Sequence, residues 1–147
     1  MRFREAVAVC FQDYWTFSGR ASRSEYWWFF LFIIVGSLVL ALIDRALFGE
    51  DMLLGFGGLF SLFTILPQAA VAWRRMHDTG RSGFFNLLPG IPLVPVFHSV
   101  LRPGNSIDPS VVVILAGLAF ILSLVVLVLL ILPSQPGRNR YDTAAPD

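Results

Sequence analysis

The chain has 147 residues, of which 56% are hydrophobic and only 14% are charged, and its mean hydropathy is +0.69. Because a soluble domain carries about 25% charged residues, this composition excludes a single water-soluble core and indicates a membrane protein. The net charge of +1 provides no overall attraction for nucleic acid. The single cysteine, Cys10, excludes an internal disulfide framework and a cysteine-based zinc site.

Residues 1–26 are predicted to form a cytoplasmic amphipathic segment ahead of the membrane domain. Apolar side chains recur there at spacings of four and three, which places them on one face of a helix: Phe3, Val7, Cys10, Tyr14 and Phe17. Tyr14 and the neighbouring Trp15 suit the headgroup boundary, so an interfacial helix lying on the cytoplasmic surface is expected. The alternative is a soluble helix that docks on the loops.

A membrane domain over residues 27–132 follows, with four apolar stretches that reach the length of about 17 to 25 residues needed to cross a bilayer. These predicted spans are residues 27–43, 52–73, 84–101 and 111–132. The expected fold class is therefore an all-α membrane protein with four transmembrane helices preceded by an amphipathic interfacial helix. Residues 133–147 are predicted to be a flexible cytoplasmic tail.

Prolines interrupt the third predicted span at intervals of three residues, at Pro89, Pro92 and Pro95. Each removes a backbone donor and crowds the carbonyl four residues earlier, and neighbouring helices can satisfy freed carbonyls inside a membrane. This span is therefore expected to be kinked or partly unwound. In the second span, Gln68 is expected to bond a carbonyl freed by Pro67.

Arginines are distributed unequally between the two sides of these spans. One side carries nine of them, in the N-terminal flank, the middle loop and the tail: Arg2, Arg4, Arg20, Arg23, Arg74, Arg75, Arg81, Arg138 and Arg140. The other side carries two, Arg45 and Arg102. Because cytoplasmic loops carry the excess of basic residues, both termini and the middle loop of this multi-pass protein are predicted to be cytoplasmic.

The segment RRMHDTGRSG, residues 74–83, is predicted to be the cytoplasmic turn between spans two and three. Together with the segment ahead of span one it contains a set that we call the arginine cluster: Arg20, Arg23, Arg74, Arg75 and Arg81, with Glu25, His77 and Asp78 as a structural polar network. In one interpretation the carboxylates pair some arginines while the others bind an anionic lipid or a partner subunit, since guanidinium groups match phosphate. In the other, the charges only set the topology and bridge two loops.

Catalysis is not indicated by any pairing of a nucleophile with a base or of two carboxylates. His77 beside Asp78 falls short of a metal site, since no second histidine is near in sequence, and a structural role is expected for it. No enzyme activity, cofactor or metal is therefore predicted. Within the predicted spans His98 is the one ionisable group, which argues against a proton- or ion-coupled transporter.

Three segments resemble a known family: YWTFSGRASRSEYWWF, ILPQAAVAWRRMHDTGRSGFFNLLPGIP and the tail GRNRYD. They are similar to the bacterial inner-membrane proteins of the domain-of-unknown-function family 805 (DUF805), over nearly the whole chain. The resemblance implies a small polytopic protein of the bacterial inner membrane with no established activity. One departure lies in the tail, where Asp142 follows Tyr141 and the family usually has glycine.

Two functional hypotheses follow. The first is an integral inner-membrane protein with a non-enzymatic accessory or regulatory role, whose arginine cluster binds anionic lipid or a partner subunit. The alternative is a small transporter or channel in which the proline-broken third span lines a polar path past Gln68 and Asn86. Membrane lipids, a membrane-protein partner or a second copy of the chain are the expected partners, and nucleic acid is not.

Overall fold

The computed structural model describes residues 1–49, 55–101 and 107–142, and within these residues the chain is helical with no strand. Helix α1 is Phe3–Gln12, α2 is Arg23–Phe48 and α3 is Phe56–Asp78. A 3-10 helix, Gly83–Leu93, leads directly into α4, Val94–Leu101, and α5 is Pro109–Ile131.

Three of the described helices, α2, α3 and α5, are long and apolar enough to cross a membrane. They contain 26, 23 and 23 residues, which at a rise of 1.5 Å per residue gives lengths of about 39, 35 and 35 Å. Large apolar side chains point outward along them, among them Leu38, Leu62 and Val113, which are 61%, 61% and 71% exposed. Such surfaces require hydrocarbon around them, so the chain is a helical membrane protein.

The ends of these helices differ from the sequence expectation for local reasons. Helix α2 begins at Arg23, where Ser22 accepts a hydrogen bond from the backbone amide of Glu25. It passes Asp44 and ends at Phe48, before Gly49, whose φ is 75°. Gly49 can adopt this left-handed conformation without steric strain. Helix α3 begins at Phe56, whereas the first residues of predicted span two, 52–54, lie outside the described residues.

The third predicted span is not a continuous α-helix, in agreement with its prolines. Pro89 and Pro92 lie inside the 3-10 helix, and Pro95 lies in the first turn of α4. A 3-10 helix rises about 2.0 Å per residue, so eleven such residues and eight α-helical ones extend over roughly 34 Å if they are collinear. This segment packs against α3 and α5.

Helix α1 turns its apolar face onto α2 and α3. Ala6 and Cys10 are fully buried, and Val7 packs against the same core. The ring of Phe11 lies 5.4 Å from that of Phe29 and 5.6 Å from that of Phe63. The helix ends at Gln12, so Tyr14 and Phe17, expected on the same helical face, instead lie in the segment that follows it.

Tyr14 satisfies a backbone group that Pro67 leaves without a partner. In an α-helix the carbonyl of Phe63 would accept from the amide of residue 67, which proline lacks. The hydroxyl of Tyr14 donates to this carbonyl at 2.6 Å. Gln68 was predicted to bond the carbonyl freed by Pro67, but the hydrogen bond comes from a residue 49 positions before Phe63.

Candidate functional site

The residues of the RRMHD motif lie inside a helix rather than in a turn. Helix α3 continues to Asp78, and the turn that follows contains Gly80 with a φ of 74°. Arg74 and Arg75 are 4% and 0% exposed, and His77 and Asp78 are 7% and 5% exposed. A cytoplasmic turn was predicted over residues 74–83; the first five of these residues are instead a buried helix end.

Arg75 connects the end of α3 to the end of α5. Its Nε donates to the carbonyl of Leu130 at 3.0 Å, and its Nη2 donates to that of Leu132. The last turn of α5 contains no basic residue, and the final carbonyls of a helix have no partner within it and carry partial negative charge. Arg75 therefore supplies, from another helix, the cation that α5 lacks.

Asp78 accepts hydrogen bonds from two distant parts of the chain. Its carboxylate accepts from Nη1 of Arg75, from the hydroxyl of Ser134, and from Nε of Arg20 at 2.8 Å. Its backbone carbonyl accepts from the amide of Gln135 at 2.8 Å. Asp78 thus joins α3, the segment before α2 and the segment after α5, with its charge balanced by two arginines.

Arg20 holds the C-terminal segment in place. Its Nη2 donates to the carbonyl of Gln135 at 2.8 Å, and its Nη1 donates to the carbonyl of Gly137 at 2.9 Å and to the carboxylate of Asp142 at 3.2 Å. The hydrogen bond to Asp78, followed by that to Asp142, raises the pKa of Arg20 above its usual value. This guanidinium therefore remains charged.

Residues 133–147 are predicted to be a flexible tail, but the described part of this C-terminal segment packs against the end of α3. The ring of Tyr141 stacks on that of His77 with centroids 3.9 Å apart and planes 3° from parallel. The side-chain amide of Asn139 donates to the carbonyl of His77 at 3.0 Å. Residues 133–142 therefore form part of the site, while residues 143–147 of the predicted tail lie outside the described residues.

His77 lies against the segment before α2. Its Nδ1 lies 3.1 Å from the carbonyl oxygen of Gly19, and because a carbonyl can only accept, Nδ1 must carry a proton. Among the described residues no group of three or more His, Cys, Asp or Glu side chains could hold a metal ion. His77 therefore fastens the segment before α2 to the end of α3.

Arg74 faces a different set of partners from its neighbour Arg75. Its Nη1 lies 2.9 Å from a carboxylate oxygen of Asp13 and 3.0 Å from one of Glu25. The buried thiol of Cys10 lies close by, and burial together with the negative charge of Glu25 raises its pKa to about 12. Because the thiolate is the nucleophilic form, Cys10 is an unreactive core residue.

The two remaining arginines lie at the outer boundary of the arginine cluster. Arg23 is exposed and its Nε donates to the carbonyl of Leu132 at 3.2 Å. Arg81 is half-buried and its Nη1 donates to the carbonyl of Thr79 at 3.3 Å. The structure thus brings Arg20, Arg75 and Asp78 into one network, pairs Arg74 with Glu25, and leaves Arg23 exposed and Arg81 half-buried.

Several participants were not identified from the sequence. The contacts described above also involve Asp13, Ser134, Gln135, Asn139, Tyr141 and Asp142. The GRNRYD motif was a signal that the tail has a role, yet nothing in its spacing indicates that it meets residues 20 and 77. Asp142, the departure from the family pattern, also accepts from the backbone amide of Asn139 at 2.7 Å.

Comparison with known proteins finds a family model and relatives in the inner membrane of Escherichia coli. A family model described as a protein of unknown function (DUF805) matches residues 14–143. The chain is 43% identical over 86 residues to the inner membrane protein YhaH of Escherichia coli K12, covering 56% of this chain and 70% of YhaH. It is 41% identical over 83 residues to the inner membrane protein YhaI of the same strain, covering 56% of this chain and 69% of YhaI. No solved structure matches the chain.

Proposed function

The chain belongs to the DUF805 family, and we propose that it is a non-enzymatic accessory or regulatory protein of the bacterial inner membrane whose arginine cluster engages anionic lipid headgroups. The observation that carries this proposal is that the arginines of the cluster differ in burial and in their partners. Arg20, Arg74 and Arg75 are used inside the protein, whereas Arg23 is exposed and Arg81 half-buried. The inner arginines form a base of internal hydrogen bonds and ion pairs, and the outer two present guanidinium groups at its edge.

The proposed membrane arrangement places this base at the cytoplasmic surface. Helices α2, α3 and α5 cross the membrane, and residues 84–101 form a fourth, partly 3-10 crossing, so that both termini and the turn after α3 are cytoplasmic. The excess of arginine on this side supports that orientation. Helix α1 lies at the interface, where Trp15, 69% exposed, reaches the headgroup layer.

Side-directed labelling tests this topology. In a Cys10→Ala background, a cysteine at Ser82 should react with a membrane-impermeant maleimide only from the cytoplasmic side. A cysteine at Leu47, near the far end of α2 and 64% exposed, should react only from the opposite side. Labelling of both positions from one side would contradict the arrangement.

Lipid phosphate suits the outward arginines because guanidinium groups form paired, charge-assisted hydrogen bonds with phosphate oxygens. The cytoplasmic leaflet also carries anionic lipids that attract basic residues near its surface. A partner subunit or a second copy of the chain with an acidic surface is the alternative occupant. Neither nucleic acid nor a cofactor forms part of the proposal.

Native mass spectrometry of the detergent-solubilised protein tests lipid binding directly. Wild-type protein mixed with phosphatidylglycerol and phosphatidylcholine should retain the anionic lipid preferentially, and the double variant Arg23→Ala/Arg81→Ala should lose that preference. Arg45→Ala is the matched control, since Arg45 lies 22 positions after Arg23 on α2, about 33 Å away. Unchanged lipid retention in the double variant would contradict the proposal, and loss of a bound second chain would assign the surface to a protein partner.

The transporter alternative draws its support from the 3-10 helix, which places two prolines among apolar side chains. Its path would pass Gln68 and Asn86. The amide of Asn86 donates to the carbonyl of Gly83 at 3.0 Å, so one polar group of that path has a local partner. Solute or ion flux through proteoliposomes that is abolished by Asn86→Leu and Gln68→Leu would favour this alternative over lipid binding.

A further inference from the structure

An apolar groove of about 310 Å³ runs along one side of α2, next to the start of α1. It is lined by Phe3 of α1 and by six apolar residues of α2, at positions 31, 32, 35, 36, 39 and 40. Because residues four apart share a helix face, positions 31, 35 and 39 form one row along α2 and positions 32, 36 and 40 form the next. Gly36 lies in the middle of the second row, so no side chain interrupts the groove there.

The dimensions of this groove fit a single hydrocarbon chain and exclude a helix. From residue 31 to residue 40 helix α2 rises about 14 Å, so the volume corresponds to an average cross-section of about 22 Å². A helix with its side chains is about 10 to 12 Å wide and would need a cross-section of roughly 80 Å² or more. Carbon atoms pack about 3.5 to 4.0 Å apart, so one acyl chain can lie along the groove.

The groove opens near one surface of the membrane. Helix α2 is long and apolar enough to cross a bilayer, and the ring of Phe3 packs edge-on against that of Trp28 with centroids 5.8 Å apart. Trp28 lies five residues after Arg23, the first residue of α2, and therefore about 8 Å from that end of the helix. From Phe3 the groove extends along α2 toward the membrane interior, where hydrocarbon surrounds it.

An exposed cation, Arg4, lies at this open end. Phe11 follows Arg4 by seven residues and shares its face of α1, and the ring of Phe11 packs against that of Phe32 in the groove with centroids 5.9 Å apart. Arg4 therefore lies on the groove side of α1, and within the described residues its guanidinium has no hydrogen bond or ion pair. Arg2 is also exposed, and Glu5, which accepts from the Arg2 backbone amide at 2.9 Å, offsets one of the two charges.

We propose that the groove and Arg4 bind one anionic phospholipid, with an acyl chain in the groove and the phosphate on the Arg4 guanidinium. Guanidinium groups form charge-assisted hydrogen bonds with phosphate oxygens, and the net positive charge at the open end favours an anionic headgroup over a zwitterionic one. This site is separate from the one proposed at Arg23 and Arg81. Arg23 donates to the carbonyl of Leu132, after α5, whereas the groove lies beside α1, so either site can bind lipid without the other.

Photo-cross-linking of the intact protein in phosphatidylcholine nanodiscs tests the acyl-chain site. The probe is phosphatidylglycerol with a diazirine in one acyl chain, and mass spectrometry of peptides locates the label. Val35 and Ile34 are a matched pair, since they are adjacent and 51% and 48% exposed, and Val35 lines the groove whereas Ile34 does not. Label should concentrate at Val35 and Val39, and excess unlabelled phosphatidylglycerol should remove it. Equal labelling of Ile34 and Val35 would overturn the proposal, because ordinary surrounding lipid contacts both.

Filling the groove should abolish the preferential labelling. Val35→Trp places a large side chain in the groove, so the label at Val39 should disappear, whereas Ile34→Trp should leave it unchanged. Both changes are at exposed apolar positions on a membrane-spanning helix, so both variants should fold. In native mass spectrometry, a second copy of the chain that is bound to wild type and lost from Val35→Trp would overturn the proposal in favour of a dimer contact.

The headgroup contact is tested by Arg4→Gln. Labelling at Val39 should fall about fivefold, the factor expected for one basic residue near an anionic surface. Arg138→Gln removes an exposed cation of the C-terminal segment and should leave the labelling unchanged. Arg23→Ala/Arg81→Ala should also leave it unchanged, which separates this site from the arginine cluster. Undiminished labelling in Arg4→Gln would overturn the assignment of the phosphate to Arg4.

Discussion

At the start of α3 the carboxylate of Asp44 accepts hydrogen bonds from the backbone amides of Phe56 and Gly57, both at 2.8 Å. At the other end of α3 the guanidinium of Arg75 donates to backbone carbonyls at the end of α5. Helix starts leave amides unpaired and helix ends leave carbonyls unpaired. An anion therefore serves the first end and a cation the second, in agreement with the helix dipole.

The two ends differ in how much of the chain depends on each charge. Asp44 is half-buried and bonds one neighbouring helix, whereas Arg75 is fully buried and contacts α3, α5 and the segment before α2. A buried charge that loses its partner strongly lowers the free energy of unfolding, whereas a half-exposed charge forms hydrogen bonds with water instead. Stability should accordingly be concentrated at the arginine-cluster end, and the following predictions test this asymmetry.

The largest effect is expected for Arg75→Ala. Removing a buried partner leaves the carboxylate of Asp78 with less compensation and frees the carbonyl of Leu130, so the free energy of unfolding should fall by about 3 to 5 kcal/mol. Unfolding by sodium dodecyl sulfate, followed by tryptophan fluorescence, measures this loss. Arg81→Ala is the control and should lose less than about 1 kcal/mol, since Arg81 makes one long hydrogen bond at the edge. Equal losses of unfolding free energy in the two variants would contradict the special role of the buried Arg75.

Gly83→Ala should be the next most destabilising change at this end. A Cβ atom at residue 83 would lie 2.1 Å from the ring of Trp73, and overpacking of this kind lowers the unfolding free energy by about 1 to 3 kcal/mol. Gly90→Ala, in the same 3-10 helix, meets nothing within 4 Å and should change stability by less than about 0.5 kcal/mol. The same unfolding measurement separates them, and indistinguishable variants would refute the close contact.

At the opposite end, Asp44→Ala should have a smaller effect of about 1 kcal/mol, which is typical for the loss of a helix N-cap. The first turn of α3 should then exchange its amide hydrogens faster, as hydrogen exchange with mass spectrometry would detect. Asp44→Asn retains one acceptor oxygen and should keep part of the protection. If the asparagine and alanine variants exchange equally fast, the amides of Phe56 and Gly57 do not depend on this side chain.

The smallest effect concerns the docking of residues 133–142 at low pH. Hydrogen bonds from the Asn139 amide and from Arg20 hold the pKa of Asp142 below its ordinary value of 3.8. A lowered pKa means that the ionised carboxyl favours docking; this contribution is complete above pH 3.8 and is lost as the pH falls through the lowered pKa. The ring-current shift of Tyr141, caused by stacking on His77, should therefore decrease over that range.

Asp142→Asn separates this effect from the titration of other groups. The variant should show a weaker ring-current shift at neutral pH, because asparagine cannot form the ion pair with Arg20. Its shift should also lack the low-pH step that is seen in the wild type. An unchanged pH profile in the variant would exclude Asp142 as the titrating group.

Local patterns in the sequence were sufficient to place the long apolar helices and the proline interruption, but not where α1 and α3 end. The apolar stretches of α2 and α5 and the proline series in residues 89–95 act within one or two turns of backbone, where composition determines conformation. The composition of the arginine cluster could be read in the same way. The partners of these arginines could not be predicted, because no local rule specifies pairs so distant in sequence. Arg20 contacts Gly137 across 117 positions, and Arg74 contacts Asp13 across 61.

By itself the sequence determined that this is a helical membrane protein of the DUF805 family, because hydrophobic length, proline and family motifs are properties of contiguous residues. Only the tertiary structure decided which arginines are buried and bonded within the protein and which lie at its surface. That choice depends on where α3 ends relative to α5 and on the docking of the C-terminal segment. Arg74 and Arg75 are adjacent and chemically identical. Arg75 donates to the carbonyls at the end of α5, whereas Arg74 faces the carboxylates of Asp13 and Glu25. They differ because neighbours on a helix point in directions about 100° apart.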